Sequence, residues 1–181
     1  MSDKEKAMIT KELLEEILIL DSSTGHLYWL ECTGSKSATS PAGTLGSDGY
    51  VRLMVNGKRY LSHRLIWCLM TGKMPPKEMQ IDHINRTKND NRPQNLRIAT
   101  PSENMRNSGL HADNKSGVKG VCWCKKDRKW LAQISIDNRS NCVGRFDSLI
   151  EAKECVMAAR EKYHGSFCNH GIDQHEAASN V

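Results

Sequence analysis

Residues 50–55 (YVRLMV) and 58–62 (KRYLS) alternate apolar and polar side chains on either side of Asn56-Gly57. That dipeptide favours the tight turn whose twist suits a two-residue β-hairpin. Antiparallel sheet is therefore fixed near the middle of the chain, and the rest must be arranged around it. Upstream, Leu13, Leu14, Ile17 and Leu18 have helical spacing, predicting a helix over 10–20, a turn at 21–25 and a short strand at 26–31. Residues 35–47 read as a Gly/Ser/Thr loop. Downstream, 63–71 predicts a short helix closed by Gly72, with Pro75-Pro76 as its stop.

The next stretch reads strand (79–83), long polar loop, strand (96–98), helix. The helix start is well marked: Thr100 is a cap, Pro101 suits the first helical position and Glu103 completes a capping box. Residues 118–146 predict a three-stranded meander with turns at Asp127-Arg128 and Asp137-Asn138. Ser148 and Glu151 then open a helix over 149–163, whose apolar face is Ala152, Cys155, Val156 and Ala159, ending at Gly165.

At 181 residues the chain suits one ordinary domain or two small ones. No run approaches the roughly 18–20 apolar residues of a membrane helix. The N-terminus is acidic and amphipathic, without a signal peptide's basic start. A cytoplasmic protein with no membrane segment is expected. The seven cysteines are odd in number and irregularly spaced, arguing against a disulfide framework. Cys122-x-Cys124 has no second pair at zinc-finger spacing.

Charge is unevenly placed. Residues 46–108 carry eleven Lys/Arg against five Asp/Glu, and 109–170 carry eleven against seven. The flanks are acidic, with four against seven over 1–45 and two acids without a base over 171–181. A long basic stretch is the footprint of a polyanion binder.

The most informative residues are Asp82 and His83 at the end of the 79–83 strand, with Asn95 twelve residues beyond the histidine and Asn104 nine beyond that. Phosphodiester cleavage needs a hard cation, and the oxygens of Asp82 and Asn104 suit Mg²⁺ or Mn²⁺. It also needs a base near neutral pKa, for which His83 is the candidate, with Asn95 placed to bond its other ring nitrogen. Adjacent strand residues point to opposite faces, so Asp82 and His83 serve one site only at a kink or from either side of the strand end.

The segment DHINRTKNDNRPQNLRIATPSENMRN resembles the phage and group I intron HNH endonucleases, in the subgroup whose third motif residue is asparagine. The preceding GYVRLMVNGKRYLSHRLIWCLMTGKMPP matches the stretch leading into that motif, so the likeness covers about residues 45–108. The resemblance implies an α+β fold with a ββα-metal (HNH) nuclease core. It implies Asp82 and Asn104 as ligands of one Mg²⁺ or Mn²⁺, His83 as general base and Asn95 as the residue orienting it. His63 and Arg64 either touch the phosphate backbone or, for His63, end a strand. Arg97 and Arg106 read as phosphate contacts or surface pairs.

Residues 117–165 resemble the plant Apetala/ethylene-response-factor DNA-binding domain at Gly120-Val121, Lys129-Trp130, Ile134, Gly144-x-Phe146-Asp147 and the 151–164 helix. That likeness implies a three-stranded antiparallel sheet packed on one helix and docked on DNA. Cys122, Cys124 and Cys142 stand where the plant proteins carry base-contacting or stacking residues, so those contacts do not transfer. What remains is Lys125, Lys126, Arg128, Lys129, Trp130, Gln133, Arg139 and Arg145, with Trp130 as readily core as DNA-facing.

The expected organisation is an N-terminal helix and loop region (1–45), a nuclease domain (46–108), a linker (109–116), a DNA-docking domain (117–170) and an acidic tail (171–181). The expected activity is metal-dependent, homing-type cleavage of double-stranded DNA, nicking one strand, by a monomer or dimer. The competing expectation is a DNA-binding regulator on a non-catalytic HNH scaffold. The N-terminal helix is read as a cap on the nuclease core rather than a partner surface.

Overall fold

Asn56 and Gly57 take positive φ angles of 49° and 74° in the computed structural model, which describes residues 8–31, 39–136 and 139–171. The turn joins β4 (Val51–Val55) to β5 (Lys58–Leu61), and β3 (Thr44–Leu45) adds on the other side of β4. Contacts divide the chain into two units, Met1–Ala99 and Thr100–Val181.

In the first unit, α1 (Lys11–Ile17) starts where Thr10 caps it, its hydroxyl accepting from the Leu13 N–H. The helix is shorter than its apolar spacing suggests. Residues Leu18–Asp21 leave it to form β1, paired antiparallel with β2 (His26–Trp29). The Asp21 side chain explains the switch, because it accepts from Ser23 N (2.9 Å), Ser23 Oγ (2.6 Å) and Thr24 Oγ1 (2.7 Å) and so builds the tight turn that returns the strand.

Helix α2 (Ser62–Thr71) follows β5 directly and ends at Gly72, whose φ of 81° lets its N–H reach the Cys68 carbonyl. Strands β6 (Gln80–His83) and β7 (Leu96–Ala99) pair antiparallel, with a 3-10 turn at Pro93–Asn95 before β7. The core draws on every main element, with Leu14, Leu18, Leu27, Leu53, Leu65, Ile81 and Leu96 among its buried residues. The first 45 residues are thus not a separate layer. Helix α1 closes the same core, the capping role the sequence suggested.

The second unit opens with α3 (Pro101–Arg106), held by the full capping box between Thr100 and Glu103. The meander is present as β8 (Val121–Cys124), β9 (Lys129–Ile136) and β10 (Arg139–Phe146), in the order β8-β9-β10. Its second turn, at 137–138, lies outside the described residues, as does the 172–181 stretch of the tail. Helix α4 (Leu149–His164) packs on one sheet face through fully buried Ala152 and Val156. Ser148 caps it through the Ile150 N–H. The six described cysteines are free. No helix is long and apolar enough to cross a membrane among the described residues.

Leu65 has no exposed surface at the centre of the first core. Leu65→Ala should cost about 2–5 kcal/mol in urea unfolding. Met54→Ala, on the open face of the β3-β4-β5 sheet and 56% exposed, should stay within about 0.5 kcal/mol.

Candidate active site

Strand β6 delivers Asp82 and His83 at its C-terminal end, each only 4% exposed. The register sets Asp82 opposite Arg97 and His83 opposite Leu96. Arg97 Nε and Nη2 both donate to Asp82 Oδ2 at 2.7 Å. Of the two roles expected for Arg97, phosphate contact or ion pair, the structure shows a pair with Asp82 across the strands.

The strand's alternation sends His83 the other way. Its Nε2 lies 2.9 Å from Asn91 Oδ1. A carbonyl oxygen only accepts, so Nε2 carries the hydrogen and Nδ1 carries the lone pair. Burial pushes the His83 pKa below its ordinary value, partly opposed by the Asn91 hydrogen bond and the Asp82 and Asp90 charges. The ring is therefore neutral at pH 7.

Asn95 does not bond His83 as expected. It closes the 3-10 turn and faces its own loop, accepting from Asn85 N (2.9 Å) and donating to Asn85 Oδ1 (2.9 Å) and Asp90 O (2.6 Å). Asp90 accepts from Arg92 Nε (2.8 Å), Arg92 Nη2 (2.6 Å) and Asn85 Nδ2 (2.7 Å). Arg92 above all holds the Asp90 carboxyl at about 2. These bonds fix the loop so that Asn91, itself 2% exposed, meets the histidine. Gly25 braces the loop from outside: a Cβ there would lie 2.2 Å from Arg92 N and 2.3 Å from the Asn91 carbonyl carbon. Only glycine allows that approach.

His63 is buried and Arg64 half-buried at the start of α2. His63, in the first turn of α2, is 4% exposed because it packs on Tyr50 (ring centroids 5.4 Å apart) and edge-on against His83 (5.1 Å). Burial first, then the neighbouring His83, Arg64 and Arg52, bring its pKa down to about 3. Arg64 donates to Pro75 O (3.0 Å) and Met79 O (3.4 Å), tying down the approach to β6. A broad groove lined by Trp29, Arg52, Met54 and Arg59 lies on the β3-β4-β5 sheet and does not include Asp82 or His83.

Asn104 and Arg106 lie on α3 in the second unit, which follows β7 after the single cap residue Thr100. In the meander, register separates the remaining candidates. Lys129, Gln133 and Arg145 point to the sheet face away from α4, together with Cys122, Cys124 and Cys142. Trp130 packs against the core and edge-on against Trp123 at 5.1 Å. Arg139 pairs with Ile136, which puts it at the margin of the α4 side, so neither residue shares the open face. Lys125, Lys126 and Arg128 are exposed in the β8–β9 turn. Lys129 meets Asp147 and Arg145 meets Asp127, each at 3.0 Å. Such exposed pairs contribute about 0–1 kcal/mol and open readily to a polyanion.

The family model for HNH endonucleases matches residues 60–106, the segment from β5 through α2, the β6–β7 hairpin and α3. Protein 3.8 of Escherichia phage T7 is 30% identical over 105 residues, covering 58% of this chain and 85% of that protein. Residues 60–106 thus form an HNH endonuclease segment. An uncharacterized HNH endonuclease, L560 of Acanthamoeba polyphaga mimivirus, is 38% identical over 123 residues, 68% of this chain and 63% of its own length. No solved structure matches this chain. The enzyme is thus a DNA nuclease, and its HNH segment contains Asp82, His83, Asn91, Asn95 and His63.

Sequence reasoning missed Asn91 and Tyr50. Asn91 is one of several asparagines in NRTKNDNRPQN, and spacing alone does not separate it from its neighbours. Asn91→Ala should lower kcat about 10–100-fold with unchanged DNA affinity, as loss of a residue orienting a functional histidine does. His63 supplies a pH test of folding. Its folded pKa lies below the unfolded 6.5, so the folded state binds fewer protons and its stabilisation is present above 6.5 and lost as pH falls toward about 3. In urea titrations, His63→Phe should gain stability relative to wild type across that window. A constant difference would contradict the buried, neutral ring.

Proposed function

We propose that this HNH endonuclease hydrolyses phosphodiester bonds of double-stranded DNA with His83 as the base, aided by one Mg²⁺ or Mn²⁺. The observation that supports the reading is the His83 Nε2–Asn91 Oδ1 bond, which orients a buried, neutral ring through one nitrogen. In this reading His83 Nδ1 takes a proton from water, the water oxygen bonds to phosphorus, and the bond to the 3′ oxygen breaks. The imidazole is held by Asn91, while Asn95 acts one step further out by holding the loop that presents Asn91.

The donor set fits a hard cation. Asp82 is a buried carboxylate, and a carboxylate offers about four acceptor positions, more than the Arg97 pair takes up. Mg²⁺ is commonly held by one or two carboxylates plus substrate phosphate and water, so a long list of acidic ligands is not required. By resemblance to the HNH motif, Asn104 would be the accompanying amide ligand. When bound, the cation would neutralise charge on the phosphate and leaving oxygen.

One such site cuts one strand, so nicking is the expected product pattern. The open face and turn of the meander, with Lys125, Lys126, Arg128, Lys129 and Arg145, would dock on phosphates, which position a protein without specifying sequence. The similarity to a phage and a viral protein supports a phage or viral setting, with which a homing role is compatible.

Supercoiled plasmid carrying phage sequence should be nicked with Mg²⁺ or Mn²⁺. Chelator, His83→Ala and Asp82→Ala should each abolish nicking. Full activity of His83→Ala would remove the base assignment. DNA affinity should fall steeply with salt, with a shallower slope in Lys125→Ala/Lys126→Ala. Salt-sensitive binding without cleavage would return the chain to a DNA-binding regulator.

A further inference from the structure

We propose that His63 is a positioning residue for His83: edge-on ring contact from α2, completed by Tyr50, holds the base in its working orientation. The inference rests on the reading of His83 as the base. Three rings form a closed set, with centroids 5.1 Å apart for His63 and His83, 5.4 Å for Tyr50 and His63, and 6.0 Å for Tyr50 and His83. The His63 and His83 planes stand at 90°, the arrangement in which one ring's edge meets the other's face.

Each member is anchored from a different part of the first unit. His63 is fixed by α2, whose next residues include fully buried Leu65 and Ile66 and whose Arg64 is tied to Pro75 and Met79. Tyr50 precedes β4 and is covered by Lys88, whose ammonium sits 5.0 Å from the ring centroid and donates to Asp48 O at 3.1 Å. His83 comes from β6 and is held at its far nitrogen by Asn91. The Asn91 bond fixes one atom of the ring but leaves rotation about that bond, and an edge contact from a second ring removes it.

The His63 side chain is not there for stability alone. Its Nδ1 is buried without a hydrogen-bond partner, an arrangement that costs free energy and that an aliphatic core residue would avoid. A ring, however, is what an edge-to-face contact requires. The role is therefore carried by ring shape, and phenylalanine should support it while alanine should not.

The test compares His63→Ala, His63→Phe and His83→Ala for nicking kinetics and DNA binding, with circular dichroism showing each variant folded at the assay temperature. His63→Ala should lose about 10–100-fold in kcat, with KM and binding unchanged, and His63→Phe should recover most of the loss. Wild-type kcat in folded His63→Ala would overturn the inference. So would a loss carried by KM, which would make His63 a DNA contact, or a Phe variant as slow as Ala, which would require the imidazole nitrogen itself. If His63→Ala does not fold, His63→Phe beside His63→Leu decides: equal rates in both would overturn the ring requirement. Activity retained in His83→Ala would instead defeat the base assignment on which the inference rests.

Discussion

A neutral imidazole is useful as a base only if its free nitrogen is the one that faces water. In the mechanism proposed for His83, that condition rests on one buried hydrogen bond, from His83 Nε2 to Asn91 Oδ1. Around it, Asn95 and Asp90 shape the loop that carries Asn91, Arg92 braces Asp90, and Gly25 lets the β1–β2 turn press on the loop backbone. In a water-poor setting each such bond gains strength, and each missing partner costs more. The loop is consequently built as a network rather than as a collection of independent contacts.

The two acidic groups near the site are handled differently. Asp90 is spent on the loop, its carboxyl pulled down to about 2 by Arg92. Asp82 is buried at the end of β6 and matched by Arg97 across the strand pair. Burying a carboxylate without a counter-charge is expensive, and removing one partner of such a pair costs more than the pair itself contributes. Arg97 therefore supplies the counter-charge for a carboxylate buried inside the first unit.

Much of the fold was legible because local chemistry and tertiary packing agree. Asn56-Gly57, Gly72 and the Thr100–Glu103 box each do locally what the sequence implies. The exception, the early end of α1, arises where helical spacing and strand alternation overlap in the same leucines and the Asp21 turn decides between them. At the site, Asp82 and His83 were found by type and spacing, but their neighbours were not. Asn91 rather than Asn95 reaches the ring because the 3-10 turn aims Asn95 inward, a three-dimensional fact without a sequence period. The contacts of two basic residues were not legible for a related reason. Arg64 and Arg97 have long, amphipathic side chains that satisfy carbonyls and carboxylates inside a small core as readily as phosphates outside it. In the second unit, strand register rather than charge separates Arg139 and Trp130 from the open face.

The central claim is that Asn91 fixes the tautomer of the base. Nitrogen-15 NMR of the histidine side chains reads this directly. The account predicts that His83 in the folded protein is neutral at pH 7 and protonated at Nε2, and that Asn91→Ala mixes the two tautomers. A wild-type His83 carrying its proton on Nδ1, or an unchanged tautomer in folded Asn91→Ala, would contradict it.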